Sequence, residues 1–306
     1  AMNGKDVATL LEALPYLRRH RRSTFVVKCG GEIARDAEAL DHLARDVALC
    51  EHVGVHLLLV HGGGPQATEL SQRLGNEPEI IQGRRVTDDA SLEVAKMVFA
   101  GQINIDILGA LRRQGLRAVG LSGVDAGIVD AVRRPETDVH DPETGETRRV
   151  DFGHVGDIRG VDTRLLRKLL DEGYVPVVSS LGGDDQGRIY NINADTVAAR
   201  IAVDLGADKL ILLTDAPGLL ENPGDAASRI SHVSARRCEE LLAAGSVRGG
   251  MVPKIHTLVE AVRAGVPRAH VLDGKAPHSL LVELFTKEGT GTMVTTREEE
   301  RRYLDE

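Results

Sequence analysis

Short apolar runs that end near glycines alternate along this chain with segments of helical periodicity. The first two runs, Thr24–Lys28 and Val55–Val60, are each followed by glycine two residues further on. Such runs are typical of parallel strands that are buried on both faces. Because helical segments separate consecutive strands, the pattern predicts an α/β fold with a mainly parallel central sheet and helices on both faces.

The same pattern locates the individual elements. Strands are predicted at Thr24–Lys28, Val55–Val60, Leu116–Leu121, Tyr174–Ser179, Lys209–Leu213 and Arg268–Leu272. Helices are predicted at Asp36–Cys50, Gln66–Leu74, Asp89–Ala100, Thr163–Asp171, Asp195–Val203, Ala235–Leu242 and Val252–Arg263. Residues 134–150 are polar and predict a hairpin or lid, whereas residues 5–20 predict an amphipathic helix with a kink at Pro15.

The composition excludes several classes of protein. Of 306 residues, 42% are hydrophobic and 27% are charged, which is typical of a globular chain and not of a disordered one. The net charge of −8 and the 3% of aromatic residues disfavour a nucleic-acid partner. The widely spaced cysteines fit a reducing compartment, and no apolar run approaches the ~18 residues of a membrane span. We therefore expect a cytoplasmic protein with a small-molecule ligand and no membrane association.

Glycine clusters mark the edge of the predicted sheet where a ligand would bind. They occur at Gly30–Gly31, Gly62–Gly64, Gly182–Gly183 and Gly249–Gly250, mostly just after predicted strands. In an open parallel sheet, ligands bind outside the carboxyl ends of the strands, and glycines there let backbone N–H groups approach an anion. A single glycine pair is usually only a turn signal, whereas several pairs at one edge indicate a site.

No standard hydrolase or nucleotide motif explains these glycines. The HGGGP string at 61–65 resembles the oxyanion loop of lipases, but the required G-x-S-x-G elbow is missing because Val124 follows GLSG. The Walker pattern GxxxxGK[ST] and a GxGxxG pattern before a helix are absent as well. An anion at this edge would therefore be bound by another arrangement.

Two lysines supply positive charge beside the glycine clusters. Lys28 directly precedes Cys29-Gly30-Gly31, and Lys254 follows Gly249–Gly250 near the start of a predicted helix. A lysine ammonium is a compact cation that suits phosphate oxygens, although most lysines are simply solvated.

Further polar residues allow two interpretations each. Asn193 or Asp195 is either a helix N-cap or a group that contacts a polar ligand, and a buried carboxylate here could orient the two lysines. Arg85 could bind a carboxylate through two guanidinium nitrogens, or it could simply be a solvated residue before a helix. The loop that begins at Asp215 could line a nucleotide or form only a turn.

Taken in order, a series of short strings resembles the amino acid kinase family. These are VVKCGG, LVHGGGP, GRRVTD, GLSG, HVGDIRGVD, PVVSSLG, NINADTVAA, LLTDAPGLL, GGMVPK and DGKAPHSLLVELFTKEGTGTM. They span roughly residues 25–293, and their joint order and spacing make the resemblance specific. Within the family, the chain is most similar to the branch that phosphorylates N-acetyl-L-glutamate in arginine biosynthesis.

The resemblance implies a three-layer αβα sandwich and a division of the chain. Residues 1–22 would form a helix that serves as an oligomer contact, 23–180 a lobe that binds acetylglutamate and dimerises, and 181–306 a lobe that binds ATP. The implied reaction converts ATP and N-acetyl-L-glutamate into N-acetylglutamyl 5-phosphate and ADP. Mg²⁺ would be carried by the nucleotide, with no metal ion bound by the chain itself.

The resemblance also implies roles for individual residues. Lys28 and Lys254 would neutralise the transferring phosphoryl group, and Asp195 would hold both lysines in place. The implied substrate-binding residues are Gly31, Gly63, Gly64, Arg85, Asn191 and Asn193. The implied nucleotide-binding residues are Asp215, Gly218, Leu220, Gly249, Gly250 and Met251.

The N-terminal helix and the string HSLLVELFTKEGTGT resemble the arginine-inhibited, hexameric members of the family. This implies L-arginine as an effector, bound near Glu283, Glu288 and Gly289. It also implies a homohexamer built as a trimer of dimers, with a homodimer as the minimum. The PII signalling protein is a further partner that the resemblance implies.

Two positions depart from the family pattern, and two other functions stay open. Cys29 stands where relatives often carry Tyr or Leu, and its position beside Lys28 predicts a reactive thiol. Val124 replaces a lysine of many relatives, which favours a non-catalytic arginine sensor or PII-binding scaffold. An N-blocked 2-aminoadipate kinase of lysine biosynthesis is the other alternative, since one methylene gives only ~1–3 kcal/mol of discrimination.

Overall fold

The computed structural model describes residues 4–81, 84–140, 145–222, 224–287, 289–296 and 298–299. Its strands are β1 (Thr24–Cys29), β2 (His56–His61), β3 (Ile80–Ile81), β4 (Arg84–Arg85), β5 (Ala118–Ser122), β6 (Val129–Arg133), β7 (Thr137–His140), β8 (Thr147–Val150), β9 (Gly156–Val161), β10 (Val175–Ser179), β11 (Leu181–Gly183), β12 (Ile189–Asn191), β13 (Lys209–Thr214), β14 (His232–Ser234), β15 (Arg268–Asp273) and β16 (Thr292–Thr295). Its α-helices are α1 (Gly4–His20), α2 (Gly31–Arg35), α3 (Ala37–His52), α4 (Gly64–Arg73), α5 (Asp89–Ala95), α6 (Asn104–Arg113), α7 (Arg164–Asp171), α8 (Ala194–Leu205), α9 (Ala235–Ala243), α10 (Met251–Arg263) and α11 (Ser279–Phe285).

The central sheet has the strand order β14-β16-β15-β13-β1-β2-β10-β5 within the described residues. From β15 to β5 all neighbours are parallel, whereas β16 pairs antiparallel with β15. The sequence prediction of a mainly parallel sheet is therefore confirmed. All six predicted strands are present, each displaced by no more than two residues at either end.

Helices cover both faces of this sheet, as predicted. Successive residues of β1 point to opposite sides: Val26 belongs to one buried hydrophobic cluster, and Phe25 and Val27 belong to another. This alternation follows from the period of two along a strand. Because both faces of β1 are buried, its residues 25–27 form a continuous apolar run instead of alternating with polar residues.

The order of the strands places a crevice beside β1. On one side of β1 lies β2, the next strand in the sequence. On its other side lie β13 and β15, which come much later in the sequence. At such a switch point, the connections that leave neighbouring strands diverge and open a ligand-binding crevice at the carboxyl ends. Lys28 lies there, paired in register with Val60 of β2 and Leu212 of β13.

A second sheet of order β12-β11-β6-β9 and a β7–β8 hairpin lie after β5. The sequence analysis predicted none of the strands of this sheet, because they are short and interrupted by charged residues and glycines. The hairpin lies inside the segment predicted as a hairpin or lid, and residues 141–144 of that segment lie outside the described residues.

The predicted helix at Asp89–Ala100 is longer than expected. It runs as α5, then as a π-helix at Lys96–Ile103, and then as α6. By length and composition alone, the whole segment Asp89–Arg113 would suffice to cross a membrane, and half of its most apolar window is buried inside the protein. Core helices pass the same test, and the burial of Val98, Ile103 and Ile107 in one hydrophobic cluster identifies this one as a core helix.

The N-terminal helix α1 is continuous through Pro15 and ends at His20. The buried His20 ring packs edge-on against Phe25 of β1 and Phe285 of α11. Its Nε2 lies 3.2 Å from the carbonyl oxygen of Leu284. The last turn of α1 is thereby fixed against β1 and α11.

Candidate active site

The centre of the site is the first turn of α8. The side chain of Asn193 caps this helix, since its Oδ1 accepts hydrogen bonds from the backbone N–H groups of Asp195 at 2.8 Å and Thr196 at 3.1 Å. The cap satisfies two of the backbone donors that a helix leaves unpaired at its start. Asp195 is thereby held at the positive end of the helix dipole, with only 6% of its surface exposed.

Asp195 lies between two lysines that come from distant parts of the chain. Lys254 Nζ donates a hydrogen bond to Asp195 Oδ2 at 2.8 Å, and Lys28 Nζ lies 2.8 Å from Oδ1. The first contact has good hydrogen-bond geometry, whereas the second is an ion pair whose angles are less favourable. All three side chains are largely buried, since each is at most 18% exposed.

The pKa of Asp195 reflects two opposing effects. Burial alone would raise the pKa of this carboxyl, but the charges of Lys28 and Lys254 outweigh burial and hold the pKa below its ordinary value. The carboxylate therefore remains ionised at neutral pH. One carboxylate between two ammonium groups leaves a net positive charge in a nearly dry crevice, which is an environment for an anionic ligand.

Glycines bring backbone into close contact around these charges. A Cβ on Gly63 would lie 2.2 Å from Ile103 Cδ1, and a Cβ on Gly31 would lie 2.8 Å from Gln66 Oε1. Only glycine fits at either position without displacement of its neighbours. Gln66 also donates a hydrogen bond of 2.7 Å to the carbonyl oxygen of Gly31, so the loops after β1 and β2 are tied together.

Arg85 offers an unpaired donor to the same crevice. Its Nη2 donates to the carbonyl oxygen of Gly64 at 3.1 Å and to the hydroxyl of Thr68. Its Nη1 is buried and has no partner among the described residues. Burial lowers the pKa of the guanidinium from its ordinary value. A buried donor without a partner is costly, and a ligand carboxylate would satisfy it.

The two predicted asparagines have different local roles. Asn193 is the N-cap of α8, which is the structural interpretation that the sequence left open. Asn191 ends β12, and its Nδ2 donates to Thr87 Oγ1 at 3.1 Å. Thr87 is itself buried, and the next residue, Asp88, caps α5 through its side chain.

One cleft of about 310 Å³ collects all the predicted catalytic and substrate-binding residues. An adjoining cavity of about 290 Å³ shares Arg85, Asn191, Asn193 and Asp195 with it. The shared cleft is lined by Lys28, Gly31, Gly63, Gly64, Arg85, Asn191, Asn193, Asp195 and Lys254. The structure therefore brings these nine residues together.

The sequence analysis missed several residues of the cleft. Ser180 and Phe99 line it, and Arg134 and Phe152 line the adjoining cavity. Ser180 follows a strand whose carboxyl end faces the cleft, so its position was available as a signal. Phe99 lies in the π-helical segment, where no sequence signal predicted a contact with the glycine loop.

The predicted nucleotide-binding residues form a separate group that does not line this cleft in the described structure. Gly218 has φ +121°, and a Cβ there would lie 2.7 Å from Thr292 Oγ1, so packing explains this glycine. Leu220 forms a bridge with Arg229, and Asp215 is exposed after β13. Gly249 and Gly250 directly precede α10, which begins at Met251, three residues before Lys254.

Glu283 and Gly289 lie together at a second cavity, of about 80 Å³, whereas Glu288 lies outside the described residues. Glu283 Oε1 lies 2.7 Å from His270 Nδ1, and Oε2 accepts from the backbone N–H groups of Thr290 and Gly291. Burial opposes ionisation of Glu283, but these contacts lower its pKa to about 2. Tyr16, Arg19 and His20 of α1 line the same cavity.

The two departures from the family pattern have structural explanations. Cys29 is fully buried, and burial raises the pKa of its thiol to about 12 despite the charge of Lys28. The expectation of a reactive thiol is therefore wrong. Val124 packs near Gly183, next to a hydrophobic cluster, and is not among the residues that line the cleft.

The chemistry of the cleft is electrostatic. Among the described residues, no group of three or more His, Cys, Asp or Glu side chains could hold a metal ion. The cleft instead combines lysine ammonium groups, a guanidinium donor and exposed backbone near the N-termini of α4 and α8. Such a site can align two anionic reactants and stabilise charge that develops between them.

Comparison with known proteins identifies the kind of protein. Residues 23–273 match the model of the amino acid kinase family. The chain is 44% identical over 291 residues to the acetylglutamate kinase of Methanothermobacter thermautotrophicus, which covers 95% of this chain and 99% of that relative.

Solved structures of a longer protein share the fold. The N-acetylglutamate synthase of Neisseria gonorrhoeae complexed with coenzyme A and N-acetyl-glutamate has a TM-score of 0.80 at 32% identity, and the match covers 95% of this chain. The same synthase complexed with coenzyme A and L-arginine has a TM-score of 0.76 at 29% identity and the same coverage of this chain. This chain spans 63% and 65% of the length of those two structures.

Asp195→Asn is expected to destabilise the protein, because it leaves two buried ammonium groups without their counter-charge. We expect a loss of about 3–5 kcal/mol in the free energy of unfolding at pH 7. The folded-state pKa lies below the unfolded value of about 3.9. The carboxylate therefore stabilises the fold above that pH, and the difference between the proteins shrinks as pH falls through the folded-state pKa. Urea unfolding over a pH series measures this.

Asp204→Asn on the same helix is the matched control. Asp204 forms a more exposed ion pair with Arg200 at 3.2 Å. Its removal should cost no more than about 1 kcal/mol at any pH. Equal losses for the two variants would contradict the assigned role of Asp195.

The buried thiol of Cys29 is expected to be inert in the native protein. All three cysteines are free and buried. The folded chain should therefore release no nitrothiobenzoate from Ellman's reagent, whereas the unfolded chain should react at three thiols. Rapid native reaction that disappears in Cys29→Ser would contradict the burial of this side chain.

Proposed function

The chain belongs to the amino acid kinase family, and we propose that it transfers the γ-phosphoryl group of ATP to the γ-carboxylate of N-acetyl-L-glutamate. The observation that carries this proposal is the ion triplet of Lys28, Asp195 and Lys254 beside the unpaired guanidinium nitrogen of Arg85. The products are N-acetylglutamyl 5-phosphate and ADP. The reaction is a step of amino-acid biosynthesis, carried out by a transferase.

The reaction requires no general base. The attacking γ-carboxylate is ionised at neutral pH, since its ordinary pKa is about 4.3. A carboxylate oxygen forms a bond to the γ-phosphorus while the bond to the oxygen that bridges to the β-phosphate breaks, and ADP leaves with that electron pair. Catalysis of this transfer consists mainly of alignment and charge stabilisation.

Lys28 and Lys254 supply that stabilisation. Both ammonium groups contact the same carboxylate, so Asp195 sets the distance between them before substrate binds. A preorganised pair of cations in a water-poor cleft costs no reorganisation when charge develops on the transferring phosphoryl group. Backbone N–H groups of Gly31, Gly63 and Gly64 would add donors from the loops.

The acceptor substrate would be held on the opposite side of the cleft. Arg85 Nη1 is the donor that lacks a partner, and the α-carboxylate of N-acetylglutamate would satisfy it. Asn191 and Asn193 line the same cleft and would contact the acetamido group through their side-chain amides. The charge of the substrate thus fits the positive side of the site.

The nucleotide would reach the lysines from the side of α10. Mg²⁺ would arrive as part of MgATP and neutralise the phosphate chain. Asp215, Gly218, Leu220, Gly249, Gly250 and Met251 remain the proposed contacts of the nucleotide. This assignment places the acetylglutamate lobe at 23–180 and the ATP lobe at 181–306.

Assembly into at least a homodimer is part of this proposal. Met97 and Ile105 lie two turns apart on the long core helix and are 51% and 62% exposed, respectively. Exposed apolar residues at this spacing form a stripe that another copy of the chain can cover. The hexamer and the PII partner stay predictions from the sequence resemblance, and the cytoplasmic location stays a prediction from the composition.

L-arginine is the proposed effector, bound at the cavity between α1 and α11. The Glu283 carboxylate offers a negative charge for the ammonium or guanidinium group of arginine. Arg19 lines the same cavity and would provide charge for its carboxylate. The likeness to a synthase structure that holds L-arginine also supports this proposal.

The reaction is tested by trapping the acyl phosphate. With MgATP and hydroxylamine, we expect acyl-hydroxamate from N-acetyl-L-glutamate and little from glutamate, aspartate or N-acetyl-2-aminoadipate. Lys28→Met should lower kcat by roughly 10²–10³-fold, as loss of a transition-state donor does. Lys168→Met, which removes an exposed lysine of α7, should leave kcat unchanged. A preference for the aminoadipate acceptor, or absence of turnover with every acceptor, would overturn the proposed substrate.

Arginine regulation is tested by inhibition and by mass. We expect L-arginine to inhibit turnover and Glu283→Gln to raise the half-inhibitory concentration by at least about tenfold, since each 1.4 kcal/mol of lost affinity is a factor of ten. Glu260→Gln, an exposed change on α10, is the control and should not shift it. Deletion of residues 2–22 should lower both the oligomer mass in light scattering and the inhibition. An inhibition curve that Glu283→Gln leaves unchanged contradicts this site.

A further inference from the structure

A buried side-chain pair lies directly beneath the glycine loop of the cleft. His61 is fully buried at the end of β2, and Asn104 is 3% exposed at the start of α6. Asn104 Nδ2 lies 3.0 Å from His61 Nε2, 3.0 Å from the carbonyl oxygen of Val177 and 3.3 Å from that of Leu121. One amide group therefore joins the last residue of β2 to β10 and β5.

The orientation of the Asn104 amide follows from its partners. Carbonyl oxygens only accept hydrogen bonds, so the group that faces Val177 and Leu121 must be the NH₂ group. The NH₂ group has two hydrogens and three acceptors, so two of the acceptors share one hydrogen. The oxygen Oδ1 points towards Gly120, where a Cβ would lie 2.1 Å away. Glycine at position 120 leaves the room that this amide needs.

The same contacts determine the tautomer of His61. Because the amide nitrogen of Asn104 donates, His61 Nε2 must accept, and the ring proton lies on Nδ1. Nδ1 is 3.1 Å from the carbonyl oxygen of Gly62, which is an acceptor. Burial lowers the pKa of His61 to about 4, so the ring is neutral at physiological pH. The ring thus connects Asn104 to the first peptide of the glycine loop.

The π-helix determines how Asn104 and its neighbours reach this loop. Asn104 directly follows the π-helical segment Lys96–Ile103. Phe99 and Ile103 of that segment contact Gly63, where a Cβ would lie 3.0 Å and 2.2 Å from their side chains. A π-turn shifts the faces of a helix, and such turns are frequent at functional sites. The helix therefore holds Gly63 by packing and Gly62 by hydrogen bonding through His61.

We propose that Asn104, acting through His61, is a positioning residue that fixes the direction of the backbone N–H groups of Gly62–Gly64 for phosphoryl transfer. The proposal rests on the proposed function, since Gly62, Gly63 and Gly64 line the cleft in which the transfer would occur. Asn104 itself does not line the cleft in the described structure. Its effect would be exerted through backbone alignment, where a displacement of 1 Å can cost a factor of about 10² in rate.

The test compares Asn104→Leu with Ile107→Ala in the hydroxamate assay. Ile107 is fully buried on the same helix. Its replacement by alanine removes core packing but leaves the hydrogen-bonded pair intact. We expect Asn104→Leu to lower kcat at least about tenfold with less than about a threefold change in either KM, because the lost alignment matters most in the transition state. Ile107→Ala should lower the unfolding free energy but retain kcat.

A double-variant cycle distinguishes positioning from general damage. If Asn104 acts through His61, then His61→Leu combined with Asn104→Leu loses no more kcat than the worse single variant. Additive losses, an unchanged kcat in Asn104→Leu, or an equal loss in Ile107→Ala would each overturn the proposal.

A structural readout keeps the test independent of turnover. With ¹⁵N-labelled histidine, the wild-type protein should show His61 as the Nδ1–H tautomer, and Asn104→Leu should lose that preference. Hydrogen exchange at Gly62–Gly64 should accelerate in the same variant. If the wild-type protein phosphorylates none of the acceptors, the proposed function fails, and these two measurements alone decide the structural claim. An unchanged tautomer and unchanged exchange would overturn it.

Discussion

The contact of one carboxylate with two ammonium groups is the interaction on which the site depends. Lys28 comes from a central strand, Asp195 from the start of one helix and Lys254 from the start of another. Buried charges are tolerated only when they are paired, so the fold must keep all three elements in register for any of these side chains to remain ionised. Because the pairing is unequal, a positive charge is left over in the cleft. The same interaction therefore stabilises the packing of the two helices against the sheet and prepares the site for an anion.

The topology of the sheet explains why the site lies where it does. The central strand β1 has neighbours that the chain adds in opposite directions, and the loops that follow these strands separate above Lys28. The helices α4 and α8 begin at this edge, and their first residues, Gly64 and Ala194, line the cleft. Asn104 contacts the last residue of β2 and backbone carbonyl groups of β10 and β5 beneath this edge. The cleft is thus built from strand ends and helix starts, the parts of both elements that have unpaired backbone groups.

Much of the fold could be predicted, because buried parallel strands have a simple apolar pattern. The strands of the second sheet were missed because β11 and β12 have three residues each and contain glycine or polar residues. The helix after Asp89 was predicted to end at Ala100, since Gly101 interrupts its periodicity, whereas the structure continues through a π-helix. The residues of the cleft were predicted from the resemblance to the amino acid kinase family, because the local patterns alone left two interpretations for most of them. Cys29 was misjudged because its neighbour in sequence is charged, while its side chain points into the hydrophobic core.

The sequence by itself determined the local elements of the central sheet: which apolar runs are its strands, where helices follow them, and that glycines stand where backbone must approach closely. These features depend on residues close together in the chain, and their physical causes are local. The tertiary structure alone decided that Lys28 and Lys254 share Asp195, that Arg85 keeps a nitrogen without a partner, and that His61 carries its proton on Nδ1. Each of these depends on groups brought together from distant parts of the chain. Burial then decides their charge and hydrogen bonding, because water is no longer available as the alternative partner.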